Sequence, residues 1–214
     1  MADREPLSEA RIVAAASAVA DRAGLAGLSM RTVGRELGVE AMSLYHHVAG
    51  KEALLDALVD RLVSGIRHPD PALPWREALA ERCRSMRAVL GAHPWGLGLI
   101  ESRRTPGPAL LLHHETVIAC LRGAGFPVRL AAHAFSVLDA YVFGFVTTEQ
   151  HLPFEPGESA EAVVAEMAVP RDRFPHLAEM AEVLVAGRDY AYGEEFEWGL
   201  ALILDGLERR LEAA

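Results

Sequence analysis

Apolar positions recur every three to four residues along most of the chain, and no stretch alternates one-in-two as a half-buried strand would. The pattern predicts an all-α protein. Over residues 8–23, Ile12, Ala15, Ala16 and Val19 share one face, Ser8 is placed as the cap, and Gly24 with Gly27 ends the helix. Residues 28–51 read instead as two short helices about a tight turn at Gly38, a residue able to take the left-handed conformation that closes a helix. Ser29 caps the first, Val33 and Leu37 form its inner stripe, and Arg31 and Arg35 face outward. The second buries Leu44 and Val48 and leaves Ser43, Tyr45, His46 and His47 open to a partner. A longer helix begins near Gly50 and carries Leu54, Leu55, Leu58, Leu62 and Val63 inward.

A breaker-rich run, His68-Pro69-Asp70-Pro71-Ala72-Leu73-Pro74, then interrupts the pattern and predicts a boundary between residues 1–66 and 67–214. Helical periodicity resumes over 74–90, with Leu79, Cys83, Met86 and Leu90 inward. Further helices are expected over 97–102, 109–123, 127–150, 160–168, 174–186 and 194–212. The most apolar window, 130–146, contains His133 and Asp139 and is short for a membrane span, so a core or interface helix is expected and no membrane.

Two short helices around a glycine form the helix-turn-helix unit, which lays its second helix in the major groove of DNA. Net charge is −9 over 214 residues, which at first opposes nucleic acid. Its distribution softens that: residues 1–55 carry six basic and seven acidic groups, so most of the negative charge lies further on. Phosphate contacts come from hydroxyls and helix N-termini as well as from cations. Only Cys83 and Cys120 are present, too few for a disulfide framework, and the N-terminus shows no apolar leader; a reducing cytoplasm is expected. The 51% hydrophobic content suits a chain that also buries surface in a dimer.

The segment 8–62 resembles the DNA-binding domain of the TetR family of transcriptional repressors. The likeness rests on Ala23-Gly24, Arg35-Glu36-Leu37-Gly38-Val39, Leu44-Tyr45-His46-His47-Val48 and Lys51-Glu52-Ala53-Leu54-Leu55. Further along, Trp75-Arg76-Glu77-Ala78-Leu79, Phe143-Gly144-Phe145-Val146 and Phe196-Glu197-Trp198-Gly199-Leu200 resemble the regulatory domain of the tetracycline repressor subgroup. The resemblance implies a homodimer that represses a palindromic operator and is released by a small organic effector. It places Ala41, Met42 and Ser43 at the groove-entering end of the recognition helix. Ser43, Tyr45, His46 and His47 are then candidates for phosphates or base edges, Lys51 for a phosphate and Arg31 for a bidentate contact with guanine. Ser29 and Met30 would lie along the DNA backbone.

For the effector, the resemblance implies Arg104, with Arg82, Met86, His113, Thr116, Phe135 and Asp139 around it. The subgroup's metal-binding histidine and glutamate correspond to Ile100 and Thr148 here. An isoleucine has no lone pair, so no metal and no cofactor are expected, and Ile100 is left as pocket wall. Asp139 stands in an apolar helix and needs a partner, from Arg82, Arg104, His113 or the effector. For the dimer, the likeness implies Leu138, Val142, Phe145, Leu200, Ile203, Leu204 and Leu207. The adjacent pairs His46-His47 and His113-His114 diverge by roughly 100° on a helix rather than chelating together. No Gly-x-Ser-x-Gly elbow, dinucleotide loop or His–carboxylate spacing speaks for an enzyme. A ligand-binding dimer that has lost its DNA reader and a thiol sensor using Cys83 or Cys120 are the remaining alternatives.

Overall fold

The computed structural model describes residues 6–103, 105–152, 169–185 and 192–214. Every regular element among them is helical. The N-terminal unit comprises α1 (Glu9–Ala23), α2 (Met30–Leu37), α3 (Ala41–Leu44) and α4 (Lys51–Ser64). Beyond the turn at 66–74 come α5 (Trp75–Ala92), α6 (Gly96–Ser102), α7 (Pro108–Gly123), α8 (Val128–Glu149), α9 (Pro175–Val185) and α10 (Glu195–Glu212). The helix expected over 160–168, and Arg104, lie outside the described residues.

Local signals set the first unit. Ser8 accepts from Arg11 N at 3.4 Å to open α1, and Gly24 closes it at φ 64°. Ser29 and Thr32 cap α2 reciprocally, with Ser29 N donating to Thr32 Oγ1 at 2.9 Å and Thr32 N to Ser29 Oγ at 3.1 Å. Gly38 is left-handed at φ 67°. Gly34 is required for a different reason: a Cβ there would stand 2.9 Å from the Val39 carbonyl oxygen and 3.2 Å from Ala41 N. That close approach lets α3 turn sharply back on α2. Ile12, Ala16, Val33, Leu44, Leu54 and Leu58 then fill the space between α1, α2, α3 and α4.

The second unit packs α5 against α7 and α8, and α8 against α7 and α10. Its core is continuous with that of the first, because α4 also packs on α6 and α7. Val128–Gln150 is long and apolar enough to cross a membrane by length and composition. Here it packs against three other helices, with Ala134, Leu138, Val142 and Val146 fully buried.

That packing corrects the expected dimer surface. Leu138, Val142, Phe145, Leu200, Leu204 and Leu207 are buried inside the single protomer, and Ile203 is half-buried against the same core. An apolar stripe is legible in sequence, but whether it meets the protomer's own helices or a second copy is not. The faces left open on α8 and α10 instead carry Val128, Val137, Trp198 and Leu202.

Candidate DNA-reading face and effector centre

Two groups of residues stand out, one outside and one inside. On the outside, Leu44 and Val48 anchor the turn that carries α3, and their neighbours necessarily project the other way. Met42 is 73% exposed and Tyr45 49%, while Arg31, His46, His47 and Lys51 are exposed and Ala41 and Ser43 half-buried. Arg31, Arg35 and Lys51 have no ion-pair partner among the described residues, so this face offers free cationic groups beside an exposed apolar tip. Ser29 is occupied by its capping role. Met30, at the first position of α2, has its side chain in the core, so only its backbone is left to face DNA.

On the inside, α5, α7 and α8 bring together Arg82, His113 and Asp139. Arg82 is fully buried, and its Nη1 lies 2.6 Å from Asp139 Oδ1 as a close ionic contact. Its Nε and Nη2 reach His113 Nε2 at 3.0 and 2.7 Å. Burial, and then the adjacent Arg82 charge, push the His113 pKa down to about 3, so the ring is neutral at physiological pH. Thr116 belongs to the same neighbourhood: its hydroxyl donates to the His113 carbonyl at 2.9 Å and pairs with His68 Nδ1 at 2.8 Å. Phe135 packs edge-on against His114 at 4.9 Å, and burial lowers the His114 pKa. Met86 is buried a turn beyond Arg82 on α5. Ile100 sits apart on α6, half-buried where that helix meets α4. Asp139 thus finds the charged partner its helix demanded.

Sequence reasoning missed the contacts that join the two units. Arg103, following α6, binds Glu52 and Asp56 of α4 at 3.0 Å each. Asp60, on the same side of α4, accepts from Ala109 N at the start of α7 at 3.3 Å. Asp21 of α1 takes hydrogen bonds from Trp95 Nε1 at 2.6 Å and His93 Nδ1 at 2.7 Å. Gly96 lets Leu62 pack close, because a Cβ there would meet Leu62 Cδ2 at 2.6 Å. Residues 93–109 therefore bracket α1 and α4 at four points. Only the acidic spacing Glu52, Asp56, Asp60, one residue per helical turn, hinted at this. Val13, Ser17, Leu58, Leu62, Val89 and Trp95 line a cleft of about 860 Å³ beside the bracket.

A short-turn helix pair with a free cationic face, on a larger helical bundle with a buried polar centre, defines a one-component helix-turn-helix regulator. Residues 12–58 match the bacterial regulatory proteins of the tetR family, and residues 68–211 match the tetracyclin repressor-like C-terminal domain. The chain belongs to the TetR family of transcriptional regulators. It is 34% identical over 209 residues to the HTH-type transcriptional repressor DrrR1 of Streptomyces coeruleorubidus, covering 92% of this chain and 76% of that one. Apo ActR from Streptomyces coelicolor superposes with a TM-score of 0.78 at 30% identity, covering 98% and 99% of the two chains. ActR in complex with actinorhodin gives 0.76 at 29% identity, covering 97% and 99%.

Proposed function

We propose that the chain is a homodimeric repressor of a palindromic operator, released when a small organic effector enters the bundle of residues 67–214. The open face of α2 and α3 carries this reading. Arg31 offers a planar fork of the shape that pairs with guanine O6 and N7. Met42 offers an apolar contact for a thymine methyl, while Ser43, Tyr45, His46, His47 and Lys51 serve phosphates and base edges. Residues 1–66 are the reading domain. The Arg82–His113–Asp139 centre, with Thr116, Phe135 and Met86 beside it, suits an organic molecule, as the actinorhodin complex of ActR does for that protein. Dimerisation uses the exposed faces of α8 and α10, Val128, Val137, Trp198 and Leu202 among them. An operator reader works in the cytoplasm, and the two free thiols agree with that. No catalytic role is assigned.

Fluorescence anisotropy on duplexes from the DNA upstream of its own gene, across a salt series, tests the reading. Tight, palindrome-dependent binding that weakens steeply with salt is expected. Sequence-blind binding, or a monomer at micromolar concentration, overturns it.

A further inference from the structure

The buried centre holds a ring donor, on His113, that the described residues leave without an acceptor. Arg82 is fully buried and His113 is 2% exposed. Arginine nitrogens only donate, so His113 Nε2, which faces two of them at 3.0 and 2.7 Å, must be the lone-pair nitrogen. The single proton of the neutral ring therefore sits on Nδ1. That atom is enclosed and has no partner among the described residues. The neighbours do not supply one: the His68 and His114 rings stand 5.8 and 6.4 Å away, and Thr116 Oγ1 is engaged with the His113 carbonyl and His68. An N–H buried without an acceptor is unfavourable, and a ligand that supplies the acceptor relieves it.

We infer that the Nδ1–H of His113 is the donor that grips the effector, and that the effector is a neutral organic molecule presenting a carbonyl-type oxygen. This rests on the reading of the bundle as the effector domain and specifies what it accepts. Charge decides the class. Among the described residues of the centre, Arg82 and Asp139 neutralise one another at 2.6 Å, so an entering anion would lose its hydration without meeting net positive charge from them. A metal chelate is excluded on lone pairs: Nε2 is taken by Arg82 and Nδ1 carries the proton. A carbonyl oxygen meets Nδ1–H without either conflict, and the half-buried Phe135, packed on the adjacent His114 ring, offers apolar contact for the rest of the molecule. Arg82 acts here as a positioning residue, fixing which ring nitrogen is left to donate.

The test is long-range proton–nitrogen NMR on the full-length protein labelled with 15N-histidine. His113 is expected as the Nδ1–H tautomer, unchanged between pH 8 and pH 5; the Nε2–H tautomer, or titration within that range, overturns the proposal. Acetophenone, benzoate and ethylbenzene then serve as probes matched in size. Acetophenone is expected to shift the His113 Nδ1 resonance, benzoate and ethylbenzene to leave it in place. His113→Leu should weaken acetophenone about tenfold and leave ethylbenzene unchanged. Binding of acetophenone that moves the Met86 methyl but not His113 Nδ1 overturns the contact and leaves the bundle as a binding domain. No response at either position overturns both. A stronger response to benzoate overturns the charge argument.

Discussion

Arg31 and Arg82 carry the same guanidinium in opposite settings. Arg31 is exposed at the head of α2, with no ion-pair partner among the described residues. Arg82 is wholly buried, against a carboxylate on one side and an imidazole on the other. The outer group is free to exchange water for nucleic acid and contributes little to folding, since an exposed cation keeps its hydration. The inner group cannot be left alone, because an unpaired charge in a low-dielectric interior is expensive. One residue type is thus held available for binding in the first region and committed to architecture in the second, which predicts that the two substitutions fail in different assays.

The largest effect belongs to the interior. Arg82→Met should destabilise the protein by about 3–5 kcal/mol, because it strands Asp139 and removes both donors from His113 Nε2. A lower midpoint in urea with an unchanged slope is the expected signature. The double variant Arg82→Met/Asp139→Leu should recover much of the loss, since well-packed apolar replacements of a buried pair are tolerated. If the single variant costs no more than a surface change, the centre is not committed as described.

His113 sharpens the comparison through pH. Its folded pKa of about 3 lies below the ordinary value of 6.5, so the unfolded chain binds the extra proton first as pH falls. Stability from this group is therefore complete above about pH 6.5 and is lost on acidification, by up to about 1.4 kcal/mol per pH unit. His113→Asn should flatten that slope between pH 6.5 and pH 5 in chemical denaturation.

The same contrast separates what sequence could and could not disclose. Ser8, Ser29 and Gly38 act within a turn or two of themselves, so the capping of α1 and α2 and the turn into α3 were readable from neighbours. Met30, expected along the DNA backbone, has its side chain in the core, because one position on a short helix decides which way a side chain points. The stripe Leu138, Val142, Phe145 was found correctly as apolar but assigned to a second copy, since periodicity reports that a face is covered and not what covers it. Asp139 announced its need for a partner, and the choice of Arg82 required three helices to meet. Arg103 with Glu52 and Asp56, and Asp21 with His93 and Trp95, span long separations and leave no periodic trace.

Outside, effects should appear in binding and spare the fold. Arg31→Ala is expected to weaken operator binding by about 1–3 kcal/mol and to relax preference at one base pair, with the urea midpoint within about 0.5 kcal/mol of the parent. Anisotropy against operators altered one base pair at a time checks both halves. Uniform weakening across all sequences would reassign Arg31 from a base edge to a phosphate.

Lys51 provides the finest test, because its expected effect lies in a slope rather than an affinity at one condition. It opens α4, exposed and without an ion-pair partner among the described residues. Neutralising a phosphate releases about one condensed counterion, so Lys51→Gln should reduce the steepness of log K against log salt by roughly 0.9 per protomer that engages DNA. In a symmetric dimer the change doubles, to roughly 1.8. Sequence preference should be unaffected, because a phosphate carries no base information. A change near 0.9 would mean that only one protomer engages its phosphate. An unchanged slope with lower affinity would place Lys51 away from the phosphates and give it a role in holding the start of α4 instead.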